Sequence, residues 1–225
     1  MKLTFIILIF NFSIILSMFA YSKDSISTEY KNGEFITYCQ VWVNASDSNC
    51  IKTAKEFDHQ MKYNLEALFN WALKGLNLRK EKKEIMMFYF KSTSYNEKTN
   101  VINCLGDAIV PGIITFPNIT VQSQLSSRIS ANGRNGFYLS LINASGLIKT
   151  MNTSFTIIST RNNGSWYTLE THVRFGWFFN IFITQTRYKS IMEGRLKRFI
   201  HNLKEESERK NQLSDNKNKA IKNIN

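Results

Sequence analysis

Tyr188, Ile191, Met192, Leu196, Phe199, Ile200 and Leu203 recur at steps of three and four, and Lys189, Glu193, Lys197, Arg198, Lys204 and Glu205 fall mostly between them. That period gathers the apolar set on one face of a 3.6-residue helix. A stripe this wide needs a surface to cover, and the middle of the chain supplies one. In Glu34–Asn44, Phe35, Thr37, Cys39, Val41 and Val43 alternate with Ile36, Tyr38, Gln40 and Trp42, which predicts a strand with one face in the core. Strands are also predicted over Val101–Val110, Gly136–Ile142, Met151–Thr160 and Ser165–Phe175, with Arg161–Gly164 as a hairpin turn. Glu84–Ser92 has apolar residues on both faces, which predicts a strand inside a sheet. Ile113–Leu125 reads as a strand in which Pro117 forces a bulge or an edge position.

Between the first strand and the rest, Cys50–Leu78 keeps helical spacing through Ala54, Phe57, Met61, Leu65, Leu68, Phe69, Ala72, Leu73 and Leu76. Asp47, Ser48 or Asn49 is the expected cap. Lys23–Asn32 is polar and reads as loose chain. The closing helix starts somewhere between Trp177 and Thr186 and ends near Glu208. Arg209–Asn225 lacks the apolar content to offset the entropy of ordering and reads as a disordered basic tail. The expected class is therefore α+β: a curved antiparallel sheet packed on a long C-terminal helix, with one further helix after the first strand, all in one domain over residues 23–208.

This order of elements resembles the helix-grip arrangement of START-like lipid-transfer and polyketide-cyclase proteins. Gly194, Leu196, Phe199, Leu203-Lys204 and Glu208 are similar to the "gL..LK...E" ending common there. The likeness extends over Glu34–Glu208 in element order and over about 15 residues in sequence. The single long first helix departs from it, since that family usually has two short ones there. The resemblance implies a cavity between sheet and closing helix, used for apolar ligands or, in some members, for catalysis; it carries over no catalytic residue.

The N-terminus changes the setting. Met1–Ser22 has Lys2 at its start, an apolar stretch over Leu3–Ile15 broken by Thr4, Asn11 and Ser13, and small residues at Ala20 and Ser22. These are the parts of a secretory signal cut before Lys23, which predicts a secreted or periplasmic protein. No later stretch is apolar for long enough to span a bilayer. Outside the cytoplasm the three cysteines, Cys39, Cys50 and Cys104, predict one disulfide and one thiol left over, with the pairing open.

The formal net charge of +12 favours anionic neighbours such as a membrane or glycan surface. Nucleic acid is disfavoured, because the charge is dispersed and no basic stripe is interleaved with stacking aromatics. Beyond Ser22, five Asn-x-Ser/Thr triplets begin at Asn44, Asn118, Asn143, Asn152 and Asn163.

Catalytic signals are sparse. G-x-S-x-G, H-E-x-x-H and P-loop patterns are missing from the sequence, and no Cys or His spacing suits a metal. We therefore assign no catalytic residue, no metal and no cofactor. Glu170 and His172 share a strand face and are the one acid–base pair in view, read as a polar pair on the wet side. Arg174-Phe175-Gly176-Trp177-Phe178-Phe179 is the densest aromatic run. Arg174, Trp177, Phe178, Phe182, Arg187 and Tyr188 are the candidate pocket residues, the two arginines placed to hold an anionic headgroup at a cavity mouth. The expected function is an exported, non-enzymatic binding protein for an apolar or amphiphilic small molecule. The competing expectation is an envelope or secreted interaction protein with a basic surface and no pocket.

Overall fold

The computed structural model describes residues 24–72, 87–110, 112–128, 135–160, 164–180 and 183–222. The elements are β1 (Ser25–Lys31), β2 (Glu34–Val43), α1 (Asp47–Tyr63), α2 (Leu65–Ala72), β3 (Met87–Asn96), β4 (Val101–Val110), β5 (Ile114–Arg128), β6 (Asn135–Asn143), β7 (Ile148–Ser159), β8 (Ser165–Phe175), α3 (Trp177–Asn180) and α4 (Gln185–Lys222). The eight strands form one antiparallel sheet in the order β1-β2-β8-β7-β6-β5-β4-β3. Register shifts at Phe90/Ser92, Gly106/Ala108, Gln122/Ser123 and Ile148/Thr150 bend it. The α4 helix closes the inner face, packing on β2, β1 and β8 and on α1 and α2. This is the helix-grip arrangement.

Strict alternation makes the inner face apolar. Phe35, Thr37, Cys39, Val41 and Val43 of β2 are buried, as are Ser165, Tyr167, Leu169, Thr171 and Val173 of β8, while their neighbours are not. Two apolar clusters result. One holds Val41, Val43, Phe57, Phe137, Phe155, Tyr167, Ile200 and Leu203 under the middle of α4. Within it Phe57, Phe137, Phe155 and Tyr167 run as a chain of ring contacts with centroids 5.0, 5.0 and 5.1 Å apart. The other holds Phe35, Ala108, Val110, Ile119, Leu147, Val173, Ile183 and Tyr188 under the start of α4.

Several expectations are corrected. Ser25–Lys31 is not loose: Ile26, Thr28 and Tyr30 alternate with polar residues, and the segment pairs with β2 from Ser25↔Gln40 to Lys31↔Glu34. The first helix is two, not one. It begins at Asp47 after Ser46, and Asn64 breaks it with φ −150° and ψ 54°, its N–H still donating to the Gln60 carbonyl at 2.8 Å. A helix of 17 residues and one of 8 therefore follow the first two strands; Leu73–Leu78 lie outside the described residues. β3 is an edge strand, because among the described residues nothing pairs beyond it in the sheet order; Glu84–Met86 lie outside the described residues. Pro117 sits at a bulge, as expected, but β5 is interior, held between β4 and β6. The closing helix does not stop at Glu208 but runs to Lys222, and Lys210 is buried against α1.

The cysteines differ from expectation as well. All three are free thiols and all are buried, Cys39 on β2, Cys50 on α1 and Cys104 on β4. Burial pushes the Cys39 thiol up to about 12 and the Cys104 thiol up to about 11, and it raises Cys50 as well. Since the thiolate is the reactive form, these thiols are inert in the native state. An aromatic disulfide reagent is expected to titrate none of them in buffer and all three in denaturant; a titre of one thiol in denaturant would mean a disulfide bridge after all.

Candidate functional site

The inner face carries a feature that composition does not reveal. Thr28, Thr37, Thr171 and Thr153 stand directly opposite one another on β1, β2, β8 and β7. They form a row of hydroxyls across four neighbouring strands, between the two apolar clusters. Thr28 and Thr37 share a hydrogen bond of 3.0 Å, and the Thr153 hydroxyl donates to Thr171 at 3.4 Å. Thr37 and Thr171 are fully buried, whereas Thr28 and Thr153 at the ends of the row are half-buried. The row continues into apolar positions, Thr153 opposite Leu139 and Leu139 opposite Leu125.

Tyr188 of α4 closes over this row. Its ring stacks on Phe35 at 4.0 Å and meets Phe175 edge-on at 5.8 Å. Its hydroxyl is buried without a hydrogen bond of good geometry. Burial drives that phenol up to about 12, partly offset by the Thr37 hydroxyl.

Along the inner face the degree of covering is uneven. Inner positions of β2 and β8 are closed, but Phe88, Phe90, Val121, Leu139 and Met151 on β3, β5, β6 and β7 are only partly buried. The α4 residues packed against the same clusters, Ile191, Met192, Leu196 and Phe199, are partly buried too. Gly106 lets the Phe88 ring and the Tyr89 carbonyl approach the floor of this region, where an added Cβ would lie 2.2 Å from that carbonyl oxygen. The arrangement is an apolar interior surface that solvent still reaches, with uncharged hydroxyls at one side.

The predicted pocket residues are placed as follows. Tyr188 lies at the base of the interior. Arg174 is on the outer face of β8, where its Nη2 donates to the Asn32 carbonyl at 3.1 Å and braces the β1–β2 turn. Trp177 is 78% exposed and faces solvent. Arg187, half-buried in the first turn of α4, donates its backbone N–H to the Thr184 hydroxyl at 3.3 Å. The side chain of Phe178 and the whole of Phe182 lie outside the described residues. Arg174, Trp177, Arg187 and Tyr188 thus share one end of the sheet without lining one space. The threonine row escaped notice because each threonine is ordinary in its own strand; only the register aligns them.

On the outer face, His172 lies between two carboxylates. Its Nε2 donates to Glu170 Oε1 at 2.7 Å, and its Nδ1 faces Glu34 Oε2 at 3.4 Å. The Glu170 hydrogen bond raises the imidazole above its ordinary value, burial works against this, and Glu34 adds to the rise. His201 on α4 is shifted the other way: burial lowers it and Asp24, at 3.8 Å, only partly compensates. It is half-buried among basic neighbours. The signs oppose. Stability from His172 is complete at low pH and is lost as pH rises through its raised folded value. His201 instead destabilises as pH falls below its unfolded value. Between about pH 5 and 8 the intact protein is therefore expected to show a shallow stability profile. His172→Asn should unmask a loss on acidification, and His201→Asn a gain. Parallel urea titrations across that range check both, and identical slopes in the two variants would refute the assignment.

No protein-family model matches the chain, and no curated protein does. Among solved structures it is similar to truncated norcoclaurine synthase from Thalictrum flavum, at 12% identity over 81% of this chain and 94% of that one, with a TM-score of 0.43. The protein TTHA0849 from Thermus thermophilus aligns at 11% identity over 76% of this chain and 96% of that one, with a TM-score of 0.45. The di-domain ARO/CYC protein StfQ of the steffimycin biosynthetic pathway aligns at 11% identity over 79% of this chain and 51% of StfQ, with a TM-score of 0.47.

Proposed function

We propose that the protein is an exported carrier that holds an apolar or amphiphilic small molecule between the inner face of its sheet and α4. One observation carries this reading. Phe88, Phe90, Val121, Leu139 and Met151 on the inner face, and Ile191, Met192, Leu196 and Phe199 of α4, are apolar yet incompletely covered, whereas the inner positions of β2 and β8 from Phe35 to Val43 and from Ser165 to Val173 are sealed. Apolar surface left open to water inside a fold costs about 25 cal/mol per Å², and an apolar ligand recovers that free energy. The hydroxyl row supplies an uncharged hydrogen-bonding partner for a polar end, with Thr153 as its accessible member. A sterol-like or fatty hydroxyl or carbonyl fits this chemistry better than a carboxylate or phosphate, since the row carries no charge.

The test is native mass spectrometry of the purified protein together with titration by a fluorescent apolar probe. A co-purifying apolar mass, or saturable probe binding displaced by a fatty alcohol, is expected. Val121→Trp should fill the space and abolish binding while the far-ultraviolet spectrum stays native. A protein that carries nothing and takes up no probe would sink the reading and leave the interaction protein without a pocket in its place. Export is tested separately, by N-terminal sequencing of the protein from the medium or periplasm, where Lys23 is the expected first residue.

A further inference from the structure

The turns between β1 and β2, β4 and β5, and β6 and β7 all lie at one end of the sheet, together with α3 and the first turn of α4. Large apolar side chains are left exposed here out of proportion. Of the eleven exposed among the described residues, five fall at this end: Tyr30, Ile113, Ile114, Ile142 and Trp177. Ile113 is 50% exposed, Ile142 54% and Trp177 78%. They belong to separate turns, two of which are tied by backbone hydrogen bonds to residues of one apolar cluster. Ile113 closes the turn onto Val110, and Gly176 beside Trp177 donates its N–H to the Leu147 carbonyl at 3.0 Å. Both Val110 and Leu147 belong to the cluster beneath α4.

The charge around this end is positive. Lys31, Lys149 and Lys189 are exposed and Arg174 and Arg187 half-buried. The acids at the same end are Glu29, Glu34 and Glu193, and Glu34 already faces His172; Asp107, on the neighbouring stretch of β4, is paired with Lys91 at 2.6 Å. The first described residues and the later turns of α4 lie elsewhere. Asp24 accepts from the Trp42 backbone at the far end of β2, and Asn211 of α4 bonds Ser46 at the start of α1.

We propose that this end of the sheet docks on an anionic lipid bilayer, with Ile113, Ile114, Ile142 and Trp177 entering the headgroup region and Lys31, Lys149 and Lys189 facing the lipid phosphates. Exposed apolar side chains on several turns, ringed by cations, match the amphipathic boundary of a bilayer. A protein partner of the same charge would have to present an acidic rim and an apolar centre to three separate turns. The proposal does not depend on the interior carrying a ligand.

Full-length protein is mixed with vesicles of phosphatidylcholine alone or with added phosphatidylserine. An environment-sensitive fluorophore is placed on Ile113→Cys or, as a control at the opposite end of β7, on Ile158→Cys; the native thiols are buried and do not compete. The label at 113 should brighten with phosphatidylserine vesicles and be quenched by nitroxide lipids, while the label at 158 stays in water. Lys149→Gln and Lys189→Gln should each weaken sedimentation with the vesicles roughly fivefold. The double variant Ile113→Ser, Trp177→Ser should lose it, with its circular dichroism unchanged. Binding that survives the double variant with both labels in water, as attachment through residues 1–22 or 209–225 would give, overturns the proposal. So does quenching of both labels alike, or a dry label at 113 before any vesicle is added, which would mean association with a second copy.

Discussion

Phe35→Ala is expected to destabilise the protein by about 3–5 kcal/mol, the usual range for truncating a buried aromatic. Phe35 is 3% exposed and sits where three elements meet. Its ring stacks on Tyr188 of α4 at 4.0 Å, contacts Phe175 of β8 at 6.0 Å and touches Tyr30 of β1 at 4.7 Å. The β2–β8 ladder fixes the Phe35 Cα opposite Val173, so the strand cannot slide to close the cavity. A chain this long shifts its midpoint by about 2–4 °C per kcal/mol, so the melting temperature should fall by roughly 10 °C. In urea the midpoint should drop at constant slope, because the surface exposed on unfolding hardly changes. Phe35→Leu should recover about half of the loss. Trp177→Ala, made in parallel, should shift the midpoint far less, since that residue is 78% exposed and little apolar burial is lost. If the two alanine variants melt together, the cluster under the start of α4 does not hold the helix to the sheet.

The contrast between these two residues shows what local pattern reveals. Both belong to aromatic-rich stretches, and the sequence nominated Trp177 for the interior. Phe35 was correctly placed on one face with Thr37, Cys39, Val41 and Val43, because alternation along one strand decides it; that this face is the inner one comes from the packed sheet. Trp177 was not correctly placed, because the chain reverses direction at Gly176 and no period survives the bend. The same division holds elsewhere. Ser165–Phe175 and the stripe from Tyr188 to Leu203 were legible from period alone. The edge position of β3 was not, because sheet order depends on strands far apart in sequence. β1 was hidden by its serines and threonines, although Ile26, Thr28 and Tyr30 keep the period of two. The threonine row is the clearest instance: it exists only when four registers are known. The cysteines were misjudged for a related reason. An odd count in an exported chain suggests a bridge, but pairing needs side chains that face each other, and that is a property of the packed fold.

Stopping the chain after Glu208 is expected to cost about 2–4 kcal/mol, although the lost segment, Arg209–Asn225, has the composition of a solvated tail. The Lys210 side chain is only 9% exposed; its ammonium pairs with Glu56 of α1 and lies 3.6 Å from Glu206. Asn211 accepts the Ser46 backbone N–H at 3.0 Å and an Asn49 side-chain hydrogen bond at 3.0 Å. Ser46 precedes α1 and its side chain does not cap the helix, so Asn211 holds the entry to α1 from outside. Each hydrogen bond contributes about 1 kcal/mol, and more where a buried N–H is stranded; burial of the lysine stem supplies the rest. A stop after Asp215 keeps all of these contacts and should leave stability within about 0.5 kcal/mol of the intact chain. Two substitutions separate packing from charge. Lys210→Met preserves the stem, and Glu56 is half in water, so the loss should be no more than about 1 kcal/mol. Asn211→Ala strands the Ser46 N–H and should account for about 1–2 kcal/mol. Equal stability of the two truncated chains would mean that the helix beyond Glu208 stands free of α1. A large loss in Lys210→Met would mean that charge pairing, not the buried stem, ties the end of the chain to its first helix.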